Sequence, residues 1–299
     1  MNTPLSQGGP ILVTGGQGQL ATSLVTLGGA RIHRVGRPDF DFDRPETLAA
    51  TLETVQPVAV VNAAAWTAID LAESEPEAAA LANTYGPAEL ARLCAMRGIP
   101  LIHISTDYVF AGDKGTPYVE TDRISPQTVY GETKAEGEKL TLAANPKTLV
   151  LRTSWVYSAH GKNFVRTILN AGAKNPVLKV VGDQIGNPTS SDDLARAILS
   201  MIATIEKNGW QDDFAGLYHA CGTGETTWHG LAVAALKEAA NYGQAMPSVT
   251  AIRTEDWPTP AKRPAVSSMN NAKLHDVFGI TMPRWDDSLR QVVKALYRS

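Results

Sequence analysis

Apolar residues fall along this chain in two alternating textures. Short β-rich runs at 11–14, 58–62, 101–105 and 148–153 predict strands, and Ala- and Leu-rich stretches such as 78–96 and 135–144 predict helices between them. A strand with one wet face alternates apolar and polar residues, whereas one buried on both faces is continuously apolar. Ile-Leu-Val at 11–13 and Val-Ala-Val-Val at 58–61 are of the second kind. Strands that alternate with helices therefore predict an α/β protein built on a Rossmann-type, doubly wound parallel sheet. Past residue 160 the texture changes: 179–183 reads as a short strand, 187–189 as a turn, and 192–205 as a helix. Beyond Tyr218 the pattern predicts one long helix, 230–240, and a loop carrying Pro258, Pro260 and Pro264. The expected division is a dinucleotide platform at 1–158 and a smaller, mainly substrate-binding α/β lobe at 159–299, with part of 185–220 free to return to the platform.

Composition narrows the function. With 299 residues, 43% hydrophobic and 19% charged, the chain can bury a sizeable core. Lys plus Arg is 27 against 30 for Asp plus Glu, net −3, with no basic run, so nucleic acid is not an expected partner. Cys94 and Cys221 make neither a disulfide framework nor a Cys-rich zinc site, which fits a reducing cytoplasm. His-Glu-x-x-His, Gly-x-Ser-x-Gly and the Walker pattern do not occur. The leader 1–10 is polar, and no apolar stretch reaches the roughly 18 residues of a membrane span. Neither export nor membrane insertion is expected.

Candidate chemistry begins at the first strand. Thr14-Gly15-Gly16-Gln17-Gly18-Gln19-Leu20-Ala21 sets glycines between that strand and a helix. There a turn needs unusual φ values, and a diphosphate reaches backbone N–H groups only where no Cβ intervenes. Where a dinucleotide fold reads the adenosine ribose stands Arg37-Pro38-Asp39-Phe40-Asp41. An arginine suits a 2′-phosphate and an acid suits a free 2′-hydroxyl. Arg37 lies nearer the strand end, which favours NADPH, with NADH as the alternative.

Tyr130-Gly131-Glu132-Thr133-Lys134 places a phenol and an ammonium at i and i+4, on one helix face. A cation beside the phenol would bring its acidity toward neutrality, making Tyr130 a proton donor and Lys134 its tuner. Ser125-Pro126 is the candidate N-cap. Ser105 and Thr106 bring hydroxyls to the carboxyl end of a buried strand, where open α/β sheets bind ligands. Neighbours on a strand face opposite ways, so the pattern leaves the choice between them open. Asn62-Ala63-Ala64-Ala65 ends another strand with small residues against which a cofactor can lie.

Together with Arg152-Thr-Ser-Trp-Val-Tyr157, Gly182-Asp-Gln-Ile-Gly-Asn-Pro-Thr189 and Gly216-Leu-Tyr-His219, these motifs resemble the dTDP-4-dehydrorhamnose reductases, members of the extended short-chain dehydrogenase/reductase group. Ala21 stands where glycine is commoner. The resemblance implies NAD(P)H-dependent reduction of a 4-keto group, from dTDP-4-dehydro-β-L-rhamnose to dTDP-β-L-rhamnose. By family position Tyr130 donates the proton, Lys134 binds the nicotinamide ribose and lowers the phenol's pKa, and Thr106 bonds the keto oxygen. Asp107 and Trp155 match sugar-contacting positions. Gly15, Gly16, Gln17, Gly18, Gln19, Leu20, Asp41, Phe42, Ala63, Ala64 and Ala65 match dinucleotide-binding positions. Asn163, Phe164, Lys262 and Arg263 are candidates for the nucleotide end of the substrate, against a plain surface role. His103, His219 and His229 have no metal-ligand spacing. Mg²⁺ at a dimer contact occurs in some relatives, but no carboxylate cluster here supports carrying it over; a homodimer is compatible with the family. The alternatives are a non-catalytic NADP-binding regulatory subunit, and an epimerase or dehydratase acting on another nucleotide sugar.

Overall fold

The computed structural model describes residues 8–298; residues 1–7 of the polar leader lie outside them. Five strands, β1 (Ile11–Val13), β2 (Ile32–Arg34), β3 (Ala59–Asn62), β4 (Leu101–Thr106) and β5 (Thr148–Thr153), join the strand Gly216–His219 in a six-stranded sheet. Its order is Gly216–His219, β5, β4, β3, β1, β2, and every pairing is parallel. Because β1 is flanked by β2 and β3, the strand order reverses there, which opens a crevice at the carboxyl ends.

Side chains on one strand alternate between two cores, as the period of two requires. Ile11 and Val13 meet Leu20 and Leu24 of the helix Gln19–Gly28 and Leu194, Ile198 and Ile202 of the helix Ser191–Asn208. Leu12 faces the other way, against Leu48, Leu52 and Leu90. Each such fully buried aliphatic side chain stabilises the fold by about 1.5–3 kcal/mol relative to exposure. Residues 191–219 thus cover and extend the first sheet. A separate core, built on Val165, Leu169, Leu231, Leu236, Leu289 and Val293, lies under the two-stranded parallel pair Val177–Val181 and Ser248–Ile252.

Three local expectations change. The stretch 78–96 is helical but not regular: Pro76–Ala80 and Gly86–Ala95 are joined by a π-helical turn, Leu81–Tyr85. Asn83 in that turn bonds Trp66 N and O and Thr133 Oγ1. The Tyr130 helix spans Val129–Ala144, and its N-cap is Thr128, whose Oγ1 accepts from Gly131 N, not Ser125. Two further helices follow Tyr218 besides Trp228–Ala240: Ala272–Phe278 and Trp285–Arg298. The last buries Leu289, Val292 and Val293 at helical spacing, a signal the sequence does carry. No helix among the described residues is long and apolar enough to cross a membrane.

Candidate active site

A cleft of about 920 Å³ runs along the carboxyl ends of β1, β3 and β4, within the range of small-molecule sites. At one end lie Gly15, Gly16, Gln17, Gly18, Gln19 and Leu20. Gly15 has φ +99°, and a Cβ there would stand 2.8 Å from Ala63 O, so neither the conformation nor the space admits a side chain. Gly15→Ala is expected to destabilise the protein by about 1–3 kcal/mol, seen as a melting temperature lowered by several degrees; an unchanged melting temperature would contradict this. Gly18 caps the helix Gln19–Gly28 without any side-chain bond, leaving that N-terminus able to receive an anion. Ala63, Ala64 and Ala65 form the adjoining wall, with Phe42 beside them. This uncapped helix start beside a wall of small residues fits a dinucleotide.

Arg37 lines the cleft, but its guanidinium already bonds Asp41 (Nε–Oδ1 2.9 Å) and Asp43 (Nη2–Oδ2 2.8 Å). Asp41 is not among the lining residues; it accepts from Arg37 and from Asp43 N. Sequence proximity suggested two competing ribose readers, and the fold makes one the partner of the other.

At the other end, Thr106, Tyr130 and Lys134 meet. Tyr130 and Lys134 share a face of one helix, and Gly131 lets that helix approach Tyr108 O, which a Cβ would meet at 2.3 Å. The Tyr130 phenol lines the cleft with Thr106 and packs edge-on against Tyr108 at 5.6 Å. Burial pushes the phenol up to about 12, against the pull of the Thr106 hydroxyl, and Asp107 adds to the rise. Lys134 lies one turn further along the same helix face as the phenol. Its Nζ donates to Ile104 O at 2.6 Å and stands 3.5 Å from His103 Nε2. Burial brings Lys134 down to about 8, with Glu138 opposing.

Ser105 and Thr106 part company here. Ser105 Oγ donates to Glu138 Oε1 at 2.5 Å. Thr106 Oγ1 accepts from Tyr108 N and donates to Asp107 Oδ1 at 3.1 Å. Asp107 is buried, and desolvation raises its carboxyl to about 6 against hydrogen bonds from Ser267 and Thr106. Ser267 Oγ lies 2.6 Å from Asp107 Oδ2 across a large sequence separation, and no local pattern marks it.

Trp155 lines the cleft in the left-handed region, φ +47°, a conformation that costs a non-glycine residue energy and tends to occur at functional sites. Its ring stacks on Trp228, centroids 3.6 Å apart and 8° from parallel. Trp228, absent from the sequence candidates, also lines the cleft and leans on Phe164 at 4.6 Å. Lys162, Asn163 and Phe164 line this side, with Asn163 capping the helix Phe164–Gly172. Lys262 and Arg263 do not line the cleft; Arg263 is paired bidentately with Asp70 at 3.0 Å on both arms. His103, His219 and His229 bond Asn62, Asn270 O and Val249 O respectively. Among the described residues no group of three or more His, Cys, Asp or Glu can hold a metal ion.

The family model for the RmlD substrate binding domain matches residues 9–298. A dTDP-4-dehydrorhamnose reductase of Sinorhizobium fredii is 41% identical over 288 residues, 96% of this chain and 97% of that protein. The crystal structure of a Clostridium acetobutylicum dTDP-4-dehydrorhamnose reductase superposes with TM-score 0.87 at 35% identity, covering 96% of this chain and 99% of that one. That of the Bacillus anthracis enzyme, in complex with NADP, gives TM-score 0.88 at 29% identity over 97% and 100% of the two chains. Near-complete coverage in sequence, with the fold and the cleft it forms, leads to one conclusion: the chain belongs to the dTDP-4-dehydrorhamnose reductase family of NAD(P)H-dependent oxidoreductases.

Proposed function

We propose that the cleft reduces the 4-keto group of dTDP-4-dehydro-β-L-rhamnose to the hydroxyl of dTDP-β-L-rhamnose, with NADPH as the preferred reductant, NADH as a second one, and the cytoplasm as the setting. The observation that carries this reading is that Tyr130, Lys134 and Thr106 line the same cleft as the glycine turn. A dinucleotide held by Gly15–Leu20 and Ala63–Ala65 would supply a hydride. Tyr130 donates its proton to the alkoxide oxygen as that charge develops, and Thr106, its hydroxyl turned from Asp107 Oδ1, donates to the same oxygen. Lys134 holds the ribose hydroxyls near the phenol. Asp107 and Trp155 orient the sugar, while Phe164 and Lys162 face the nucleotide end. Under this reading 1–158 serves the cofactor, helped by 191–219, and most of 159–299 serves the substrate.

Preformed donors at a developing oxyanion contribute on the order of 10²–10³ in rate. Thr106→Val is therefore expected to lower kcat by about that factor, while Ser105→Ala acts through Glu138 and costs less turnover. A larger loss for the serine variant in steady-state assays would reverse the assignment. The reaction is tested by generating the keto sugar from dTDP-4-dehydro-6-deoxyglucose and its epimerase, then following oxidation of NADPH and NADH separately. Stoichiometric oxidation with NADPH favoured supports the reading. Binding without turnover would point to a regulatory subunit, and sugar conversion without net NADPH consumption to an epimerase or dehydratase.

A further inference from the structure

Beneath the cleft lies a buried ion pair to which the proposed chemistry assigns no part. Glu138 continues the helix face of Tyr130 and Lys134, one turn beyond the lysine. Its Oε1 accepts from Arg152 Nε at 2.8 Å and from Ser105 Oγ at 2.5 Å, and its Oε2 accepts from Arg152 Nη2 at 2.7 Å. The two charged side chains are 2% and 4% exposed. Three elements, the Tyr130 helix, β4 and β5, therefore fix one carboxylate in place.

A buried ammonium is costly unless a negative charge stands near it. Lys134 is itself buried, and its one short bond is to the neutral carbonyl of Ile104. The ionisable groups around it are few. On its own helix are Tyr130 and Glu138, and at the helix start Glu73 accepts from Val129 N. From β4 comes His103, which burial keeps neutral; Asn62 Oδ1 is taken by Thr14 Oγ1 and Ala64 N, so its Nδ2 donates to His103 Nδ1 and leaves Nε2–H toward the lysine. That N–H offers Lys134 no acceptor. Asp107, after β4, acts on Tyr130 and Tyr108. From β5 comes Arg152, bound to Glu138. Asp70, in the short helix Ile69–Ala72 that also packs on this region, is engaged by Arg263. Glu138, at i+4 on the same helix face, is the carboxylate that favours the charged lysine.

We infer that Glu138, gripped by Arg152 and Ser105, is a positioning residue whose charge keeps Lys134 protonated in the cleft. Arg152 holds the carboxylate ionised and in place, and Ser105 fixes its orientation. The inference deepens the proposed role of Lys134 and rests on it for its catalytic meaning, though the charge relation itself concerns the free protein.

Lysine labelled with ¹³C at Cε reports its own ionisation by NMR, and Lys134→Met identifies the Lys134 signal. In Glu138→Gln the Lys134 titration is expected about one pH unit or more lower, the size usual for a lost neighbouring charge. Glu138→Gln with Arg152→Gln, which leaves no buried charge unpaired, is expected to shift it in the same direction and covers the case in which the single variant does not fold. Glu138→Asp, which keeps the carboxylate, is expected to restore most of the shift. An unchanged Lys134 titration in the double variant overturns the inference and leaves Glu138 a purely structural residue. The alkaline limb of kcat/KM should move down with the NMR titration. A shifted titration with an unmoved limb supports the charge relation but refutes a catalytic role for Lys134.

Discussion

Tyr130→Phe is expected to lower kcat by about 10²–10⁴-fold, the range for loss of a positioned general acid, while the dissociation constant for NADPH changes little. The phenol is buried and its ionisation is pushed up to about 12, so the proton is in place throughout the neutral range. Phenylalanine keeps the edge-on packing against Tyr108 and removes only the hydroxyl. Lys134, brought down to about 8, loses its proton first as pH rises. The alkaline limb of the wild-type profile should accordingly report the lysine, and it should persist in the residual activity of the phenylalanine variant. Steady-state rates with cofactor binding by fluorescence titration check both statements; near-normal turnover would remove Tyr130 from the mechanism.

Arg152→Met should cost the most stability. Removing one partner of a buried ion pair strands the other, at about 3–5 kcal/mol. Glu138 would keep only Ser105 as a donor, in a setting where it is 4% exposed. At roughly 2–4 °C per kcal/mol for a domain of about this size, the melting temperature should fall by on the order of 10 °C. Adding Glu138→Leu removes the stranded charge, so the double variant should recover much of the loss. Arg152 Nη1 has no hydrogen-bond partner among the described residues, and its guanidinium carbon lies 5.0 Å from the Phe110 ring centre. The pair is thus incompletely satisfied, which makes an apolar replacement of both members well tolerated. Calorimetry on the single and double variants tests this; equal loss in both would mean that the side-chain volume matters more than the charge.

The main sheet was legible because strands buried on both faces have a distinctive texture. β5 falls where the β-rich run 148–153 predicts it, and β1, β3 and β4 within a residue of their predicted bounds. The short strand Gly216–His219 was not placed in the sheet by its own four residues, since its partner is β5, far earlier in the chain. The N-cap moved from Ser125 to Thr128 because several Ser and Thr residues precede the helix and only local backbone geometry selects one. Arg263 looked free for a diphosphate because Asp70 is distant in sequence.

By itself, the sequence determined the alternation of strands and helices, the glycine turn and the Tyr-x-x-x-Lys helix, all of which depend on neighbours within one or two turns. The tertiary structure decided where two neighbouring hydroxyls go, Ser105 to Glu138 and Thr106 to Asp107, because the strand's pleat sends them to different partners. It also decided that Arg37 and Asp41 form a pair, that Ser267 holds Asp107, and that Trp228 backs Trp155. Ion pairing, stacking and desolvation act over a few ångströms of space whatever the separation along the chain, so they become readable only once the chain has folded.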